Sequence, residues 1–222
     1  MKKFLLLLVA FATISCGSNS SNSNKAAERA AAEAAAKREQ FVKDSIAHVE
    51  FVRDSIAKAE VIKRCEPLFT VKKDEFSDKA WVEPKSAPKY RNRNGVYAYF
   101  ATENGRAFNF RFVYQYYSDD WLFIKNMIFN IDGENITIAP DMETDCGNGG
   151  KIWEWCDVHV TGGDSESIFV NEYFIKKIAE AKAVKVKMNG RQYYDTRTLT
   201  SAQIQSIKDT YEYYKALGGK FD

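Results

Sequence analysis

The alternation of apolar and polar positions divides the chain into three stretches. Phe4 to Ile14 carries no charge. It is too short to span a bilayer core of about 30 Å, which takes about 20 apolar residues in a helix. From Lys25 to about Arg64 the spacing is helical. Ala26-Ala27-Glu28-Arg29-Ala30-Ala31-Ala32-Glu33-Ala34-Ala35-Ala36-Lys37 consists of strong helix formers. Asn24 is placed to cap the start. Glu33/Lys37, Glu39/Lys43, Asp54/Lys58 and Glu60/Arg64 set acid before base at i,i+4, the better order. No proline or glycine falls between Asn24 and Pro67. Such a helix reaches about 60 Å at about 1.5 Å per residue.

Within this stretch Phe41 to Glu50 is echoed by Phe51 to Glu60. Val42, Ile46, Val49, Val52, Ile56 and Ala59 recur at spacings of three and four, which makes an amphipathic face. The ten-residue period is not a heptad, because continuing one from Ile46 meets Arg53 and Glu60. The seam is therefore poor for a long coiled coil. Residues 41–62 are still a candidate surface for self-association. His48 has no evident ligand partner there.

From Glu66 the period drops towards two. Phe108, Phe110, Phe112, Tyr114 and Tyr116 read as one face of a strand, with Ala107, Asn109, Arg111, Val113 and Gln115 on the other. Val96, Ala98 and Phe100 share a face of the strand before it. Asn94-Gly95, Asn104-Gly105, Asp132-Gly133 and Asn189-Gly190 are favoured hairpin dipeptides. Trp121–Ile131 and Glu134–Ala139 read as a hairpin, and Lys151–Val160 as another strand. Ser167–Ala181 reads as a helix. Val184, Val186 and Met188 alternate with lysines, as at a sheet edge. In the last helix Thr200 and Gln203 form a capping box, Leu199 and Ile204 a hydrophobic staple, and Gly218 a stop. The fold class expected is α+β: a long N-terminal helix, then an antiparallel, sandwich-like β-rich domain with two helices in its C-terminal half.

Charge excludes some partners. The formal net charge is +2. Lys2 and Lys3 would leave with an N-terminal signal, which brings the remainder to zero. A neutral chain without a basic block gives no footprint for nucleic acid and no polybasic membrane patch. At the N-terminus, Met1-Lys2-Lys3, the apolar stretch and the small Ser15 have the layout of a secretory signal. Thr13-Ile14-Ser15-Cys16 resembles the lipobox of bacterial lipoprotein precursors, with threonine where leucine is commonest. The resemblance covers the first 16 residues. It implies cleavage before Cys16, a diacylglyceryl group on the Cys16 sulfur and acylation of the new amine. Two or more chains hold a protein stably at a membrane, whereas one holds it marginally.

The organisation expected is a signal peptide over 1–15, a lipidated Cys16 and polar tether over 16–24, a helical stalk over 25–66 and a head over 67–222. The location expected is the cell envelope outside the cytoplasm, at the outer membrane rather than the inner. Lys151–Asp157 and the final strand-turn-helix resemble uncharacterised envelope lipoproteins in general style, without a named functional family.

Of the other cysteines, Cys146 and Cys156 flank a glycine-rich turn and are the candidate disulfide of an exported chain. A nucleophile needs a histidine in reach. His48 lies on the stalk, and Cys156 and His159 are three apart on a strand, so they face opposite ways. No zinc or calcium spacing is met, including by the acids of Asp141–Asp145. No cofactor, metal or catalytic residue is indicated. The candidate ligand-stacking aromatics are Trp153 and Trp155, which share a strand face, with Trp121 and Tyr117 beside the Ser118-Asp119-Asp120 turn. The function expected is a non-enzymatic envelope module that binds a protein or glycan partner. The alternatives are an envelope-polymer hydrolase using acids that the pattern does not single out, and an assembly protein that self-associates through the stalk. Replacing Cys16 by serine is expected to move the protein from the membrane to the soluble fraction; retention on membranes contradicts the lipid anchor.

Overall fold

The computed structural model describes residues 21–147 and 149–222, with side chains from Glu28 onwards. Cys16 and the signal peptide expected over 1–15 lie outside the described residues. Contacts divide the chain into two units between Arg53 and Asp54. This boundary falls inside the first helix, α1 (Ser21–Cys65), rather than after it. α1 begins before Asn24, so Asn24 is an interior helical position and not a cap, and Ser21–Asn24 extend the helix rather than a tether. Of the four anticipated i,i+4 pairs, Glu39–Lys43 closes, at 2.8 Å. Val42, Ile46, Val49, Val52 and Ile56 are all exposed. The last turns belong with the head: Val61 and Ile62 pack on its core and Cys65 is fully buried. Arg64 leaves Glu60 for Glu212 and for Asp209, which lies 3.3 Å away.

The head is α+β. Among the described residues, ten strands form two antiparallel sheets. In chain order these are β1 (Phe69–Lys73), β2 (Lys79–Pro84), β3 (Gly95–Glu103), β4 (Arg106–Ser118), β5 (Asn126–Ile131), β6 (Glu134–Ile138), β7 (Glu143–Cys146), β8 (Ile152–His159), β9 (Val184–Asn189) and β10 (Tyr194–Thr198). The larger sheet runs β1-β2-β3-β4-β8-β7 and the smaller β10-β9-β5-β6. Helix α2 (Glu172–Glu180) precedes β9, and α3 (Ser201–Ala216) follows β10.

The inner face of the large sheet is the centre of the core. α3 lays Tyr213 and Tyr214 against Phe100, with ring centroids 5.6 and 5.5 Å apart, and Tyr214 also meets Phe110. α2 drives Phe174 edge-on between Phe112 and Phe129 at 5.4 and 4.8 Å. Phe129 of the small sheet also meets Tyr114 of the large one. Edge-to-face pairs of this kind add about 0.5–1.5 kcal/mol each beyond the area they bury. The capping box at Thr200 and Gln203 is present, and Leu199 and Ile204 are buried.

Local chemistry explains where the pattern misleads. Asn104-Gly105 and Asp132-Gly133 are hairpin turns with positive φ at both residues. The other two dipeptides use glycine for close approach instead. A Cβ on Gly190 would lie 2.1 Å from the Leu122 carbonyl oxygen, and one on Gly95 2.5 Å from Pro88 Cγ. On β4, Asn109 adopts φ +50° beside a register shift between Tyr99 and Ala101. Alternation resets there, so Ala107 is buried and Phe108 leaves the core face. The helix expected from Ser167 begins at Glu172, because the Asn171 side chain accepts from Phe174 N–H and caps it. Of the acids of Asp141–Asp145, Glu143 and Asp145 lie on an edge strand, Glu143–Cys146, that pairs with β8.

Trp121–Lys125 is not strand either. Its backbone is held by Glu154, which is fully buried on the inner face of β8. Glu154 Oε1 accepts from Leu122 and Phe123 N–H at 2.7 and 2.8 Å, and Oε2 accepts from Ile124 N–H at 2.8 Å. Three consecutive amides converge on one carboxylate, with Phe123 at φ +52° to aim them. This turn carries the chain from the large sheet into the small one. Hydrogen bonds to a charged group contribute about 1.5–3 kcal/mol each. Glu154→Ala is expected to lower stability by about 3–5 kcal/mol in urea unfolding, with Glu154→Gln retaining part of it; a change below about 1 kcal/mol for the alanine variant contradicts this role.

Candidate functional site

The outer face of the large sheet is the candidate site. On β3 the inward Val96, Ala98 and Phe100 leave Tyr97 and Tyr99 pointing outward. Register then fixes the neighbours. Tyr97 pairs with Val113, Tyr99 with Arg111, Gln115 with Trp155 and Tyr117 with Trp153. Trp81 on β2 pairs with Ala101 and packs its ring 5.6 Å from Tyr99. The result is an aromatic strip across four strands: Trp81, Tyr99, Tyr97, Trp155, Trp153 and Tyr117. No described helix packs on it. Trp81 remains 39 % exposed, and Tyr97, Tyr99, Tyr117 and Trp153 are half-buried. The Trp153 ring lies over Gly147, where a Cβ would come within 3.2 Å.

Polar groups thread the strip. Arg111 Nε donates to Asp157 Oδ1 at 2.7 Å and Tyr99 Oη to Asp157 Oδ2 at 2.8 Å. Burial, followed by its bond to Asp157, raises the Tyr99 phenol well above its ordinary range. Burial pushes Tyr97 up to about 12. Both therefore stay neutral, able to donate a hydrogen bond, across the physiological range.

Trp155 is the exception to exposure. The Arg91 guanidinium lies 4.6 Å over its ring, and the residue is 6 % exposed. Its Nε1–H has no hydrogen-bond partner among the described residues, and neither has Oε1 of Gln115, itself 3 % exposed.

Of the anticipated stacking aromatics, Trp153, Trp155 and Tyr117 are brought together here. Trp121 is not: it stacks on Phe123, centroids 5.3 Å apart, beside the Glu154 turn. The anticipated disulfide is absent. Cys146, Cys156 and Cys65 are all thiols. Cys146 pairs with Ile152, four residues along β8 from Cys156. That is about 13 Å at about 3.3 Å per residue, whereas a disulfide spans at most about 7 Å between Cα atoms. Burial raises the Cys156 thiol to about 12 and also raises Cys65. His159 lies outside, its Nδ1–H donating to Asn109 Oδ1 at 2.9 Å. Among the described residues no three His, Cys, Asp or Glu side chains cluster as metal ligands, and no helix is long and apolar enough to cross a membrane.

Pattern reading missed Trp81, Tyr97, Tyr99 and the Arg111–Asp157 pair. The alternation on β3 contains the signal for the two tyrosines; the register that gathers the rest is a tertiary property. Compared with models of known families, with curated proteins and with solved structures, the chain matches none. The chemistry of the site is accordingly read from its own atoms.

Proposed function

We propose that the chain is a lipid-anchored, non-enzymatic binding module of the cell envelope. It carries a β-rich head on a helical stalk and takes its ligand on the outer face of the large sheet. The observation that carries this reading is the aromatic strip itself. A sheet with one solvated face ordinarily dresses that face in polar side chains. Here Trp81, Tyr97, Tyr99, Tyr117 and Trp153 occupy it, spread over four adjacent strands. Flat rings among hydrogen-bonding groups suit a sugar chain, whose C–H faces stack while its hydroxyls pair.

The hydrolase alternative has less support. Asp157, on the same face as the strip, is held by Arg111 and Tyr99. Buried Glu154 is occupied by three backbone amides and lies on the opposite face. The lipid anchor rests on the Cys16 motif alone.

On arrays of envelope glycans and peptides the protein is expected to bind, and Tyr117→Ala with Trp153→Ala to weaken binding at least about tenfold, or about 1.4 kcal/mol. The double variant should keep its melting temperature within a few degrees, since both side chains are half-buried outside the core. Unchanged binding in a folded double variant overturns the assignment of this face.

A further inference from the structure

The ten residues between β2 and β3, Lys85 to Asn94, form a strap over the aromatic strip. It is fixed at its ends. Lys85 N–H donates to Leu68 O at 2.9 Å, Ala87 N–H donates to Pro84 O at 2.9 Å, and Asn94 Oδ1 accepts from Tyr117 N–H at 2.8 Å. Between these, Pro88 to Arg93 makes no hydrogen bond to the rest of the head among the described residues. What holds it down is Pro88 against Gly95, next to Gln115, and Arg91 over Trp155.

Two features distinguish the strap from a simple cover. First, it buries a donor and an acceptor without pairing either. Trp155 Nε1–H and Gln115 Oε1 belong to register partners on one face, and a buried polar atom left unpaired is destabilising. Secondly, it carries Lys85, Lys89, Arg91 and Arg93 with no acid, and none of the four forms an ion pair among the described residues. The acids nearby on the outer face are engaged, Asp157 by Arg111 and Glu83 by Lys72. Glu143 and Asp145, on the β7 edge beside Trp155 and Trp153, form no ion pair among the described residues. The strap side of the strip is therefore cationic and the β7 side anionic.

From this arrangement, and resting on the proposed binding role of this face, we propose that the ligand is a saccharide bearing an anionic group, a carboxylate or phosphate, and that it enters by displacing the strap. Arg91 exchanges the Trp155 ring for the anion. A guanidinium binds carboxylate and phosphate through two parallel, charge-assisted N–H···O bonds, which the contact with the Trp155 ring does not supply. The vacated Trp155 face takes the sugar ring. One sugar hydroxyl accepts from Trp155 Nε1–H and another donates to Gln115 Oε1, so both orphans are satisfied together. A proline-rich peptide, which also favours aromatic grooves, supplies acceptors but few donors and would leave Gln115 unpaired. Repulsion from Glu143 and Asp145 sets polarity, with the anion at the strap and neutral rings towards Trp153.

The test uses the full chain in a non-glycosidic detergent, titrated calorimetrically with tetragalacturonate, with maltotetraose as a neutral saccharide and with tetraglutamate as an acidic peptide. Tetragalacturonate is expected to bind at least tenfold more tightly than either. Arg91→Ala should weaken tetragalacturonate about tenfold while leaving maltotetraose unchanged or tighter, because the variant loses the anion contact but uncovers Trp155. A merely structural Arg91 would weaken both alike. Gln115→Met should raise the melting temperature by about 2–4 °C, since it removes a buried unpaired acceptor, and should weaken saccharide binding. Equal affinity for the charged and neutral saccharides, equally tight tetraglutamate, parallel loss of both saccharides in Arg91→Ala, or no binding by any probe overturns the proposal. The first two results leave the binding role of the face standing.

Discussion

Glu154 is the residue on which the arrangement of the two sheets turns. A fully buried carboxylate is stable only where donors surround it, and here the donors are three consecutive backbone amides. The chain between β4 and β5 must therefore fold back against β8 before it can start the small sheet. Once it does, Phe129 arrives over Phe112 and Tyr114, and the space between the sheets is filled. Gly190 completes the junction, because any side chain there would collide with the carbonyl of Leu122 in the same turn.

Filling one face leaves the other without an internal partner. The small sheet, α2 and α3 all pack on the inner side of the large sheet, which takes Phe100 of β3 and Phe110 and Phe112 of β4. The outward positions of β2, β3, β4 and β8 include tyrosine, tryptophan, arginine and glutamine rather than only short polar residues. They do not serve the core, and two of them, Gln115 and Trp155, carry unpaired polar atoms under a basic strap. Local cost of this kind without a compensating contact is expected where a protein reserves groups for something outside itself.

The parts of this that were legible in the chain are those governed by short-range chemistry. The helical spacing of Val42 to Ala59, the capping box at Thr200, the I′ turns at Asn104-Gly105 and Asp132-Gly133 and the alternation of Phe110 to Tyr116 each follow from neighbours a few residues apart. The failures follow from distant ones. Trp121 to Lys125 is apolar enough for a strand, but Glu154, some 30 residues on, claims its amides. Cys146 and Cys156 are near in sequence, but register sets them far apart along one strand. Ile168 and Phe169 have helical spacing, but Asn171 caps the helix after them. The aromatic strip was half visible: Trp153 and Trp155 share a face by period alone, whereas Trp81, Tyr97 and Tyr99 join them only through the order β2-β3-β4-β8.

The binding role of the outer face can be read directly from the indole N–H signals of the four tryptophans in a proton–nitrogen correlation spectrum. If that face receives the ligand, adding a bound envelope saccharide moves the signals of Trp153 and Trp155. The Trp155 signal moves towards the position of a hydrogen-bonded N–H, and Trp121, at the Glu154 turn, stays in place. Movement of Trp121 alone, or of none of the four at saturation, would contradict it.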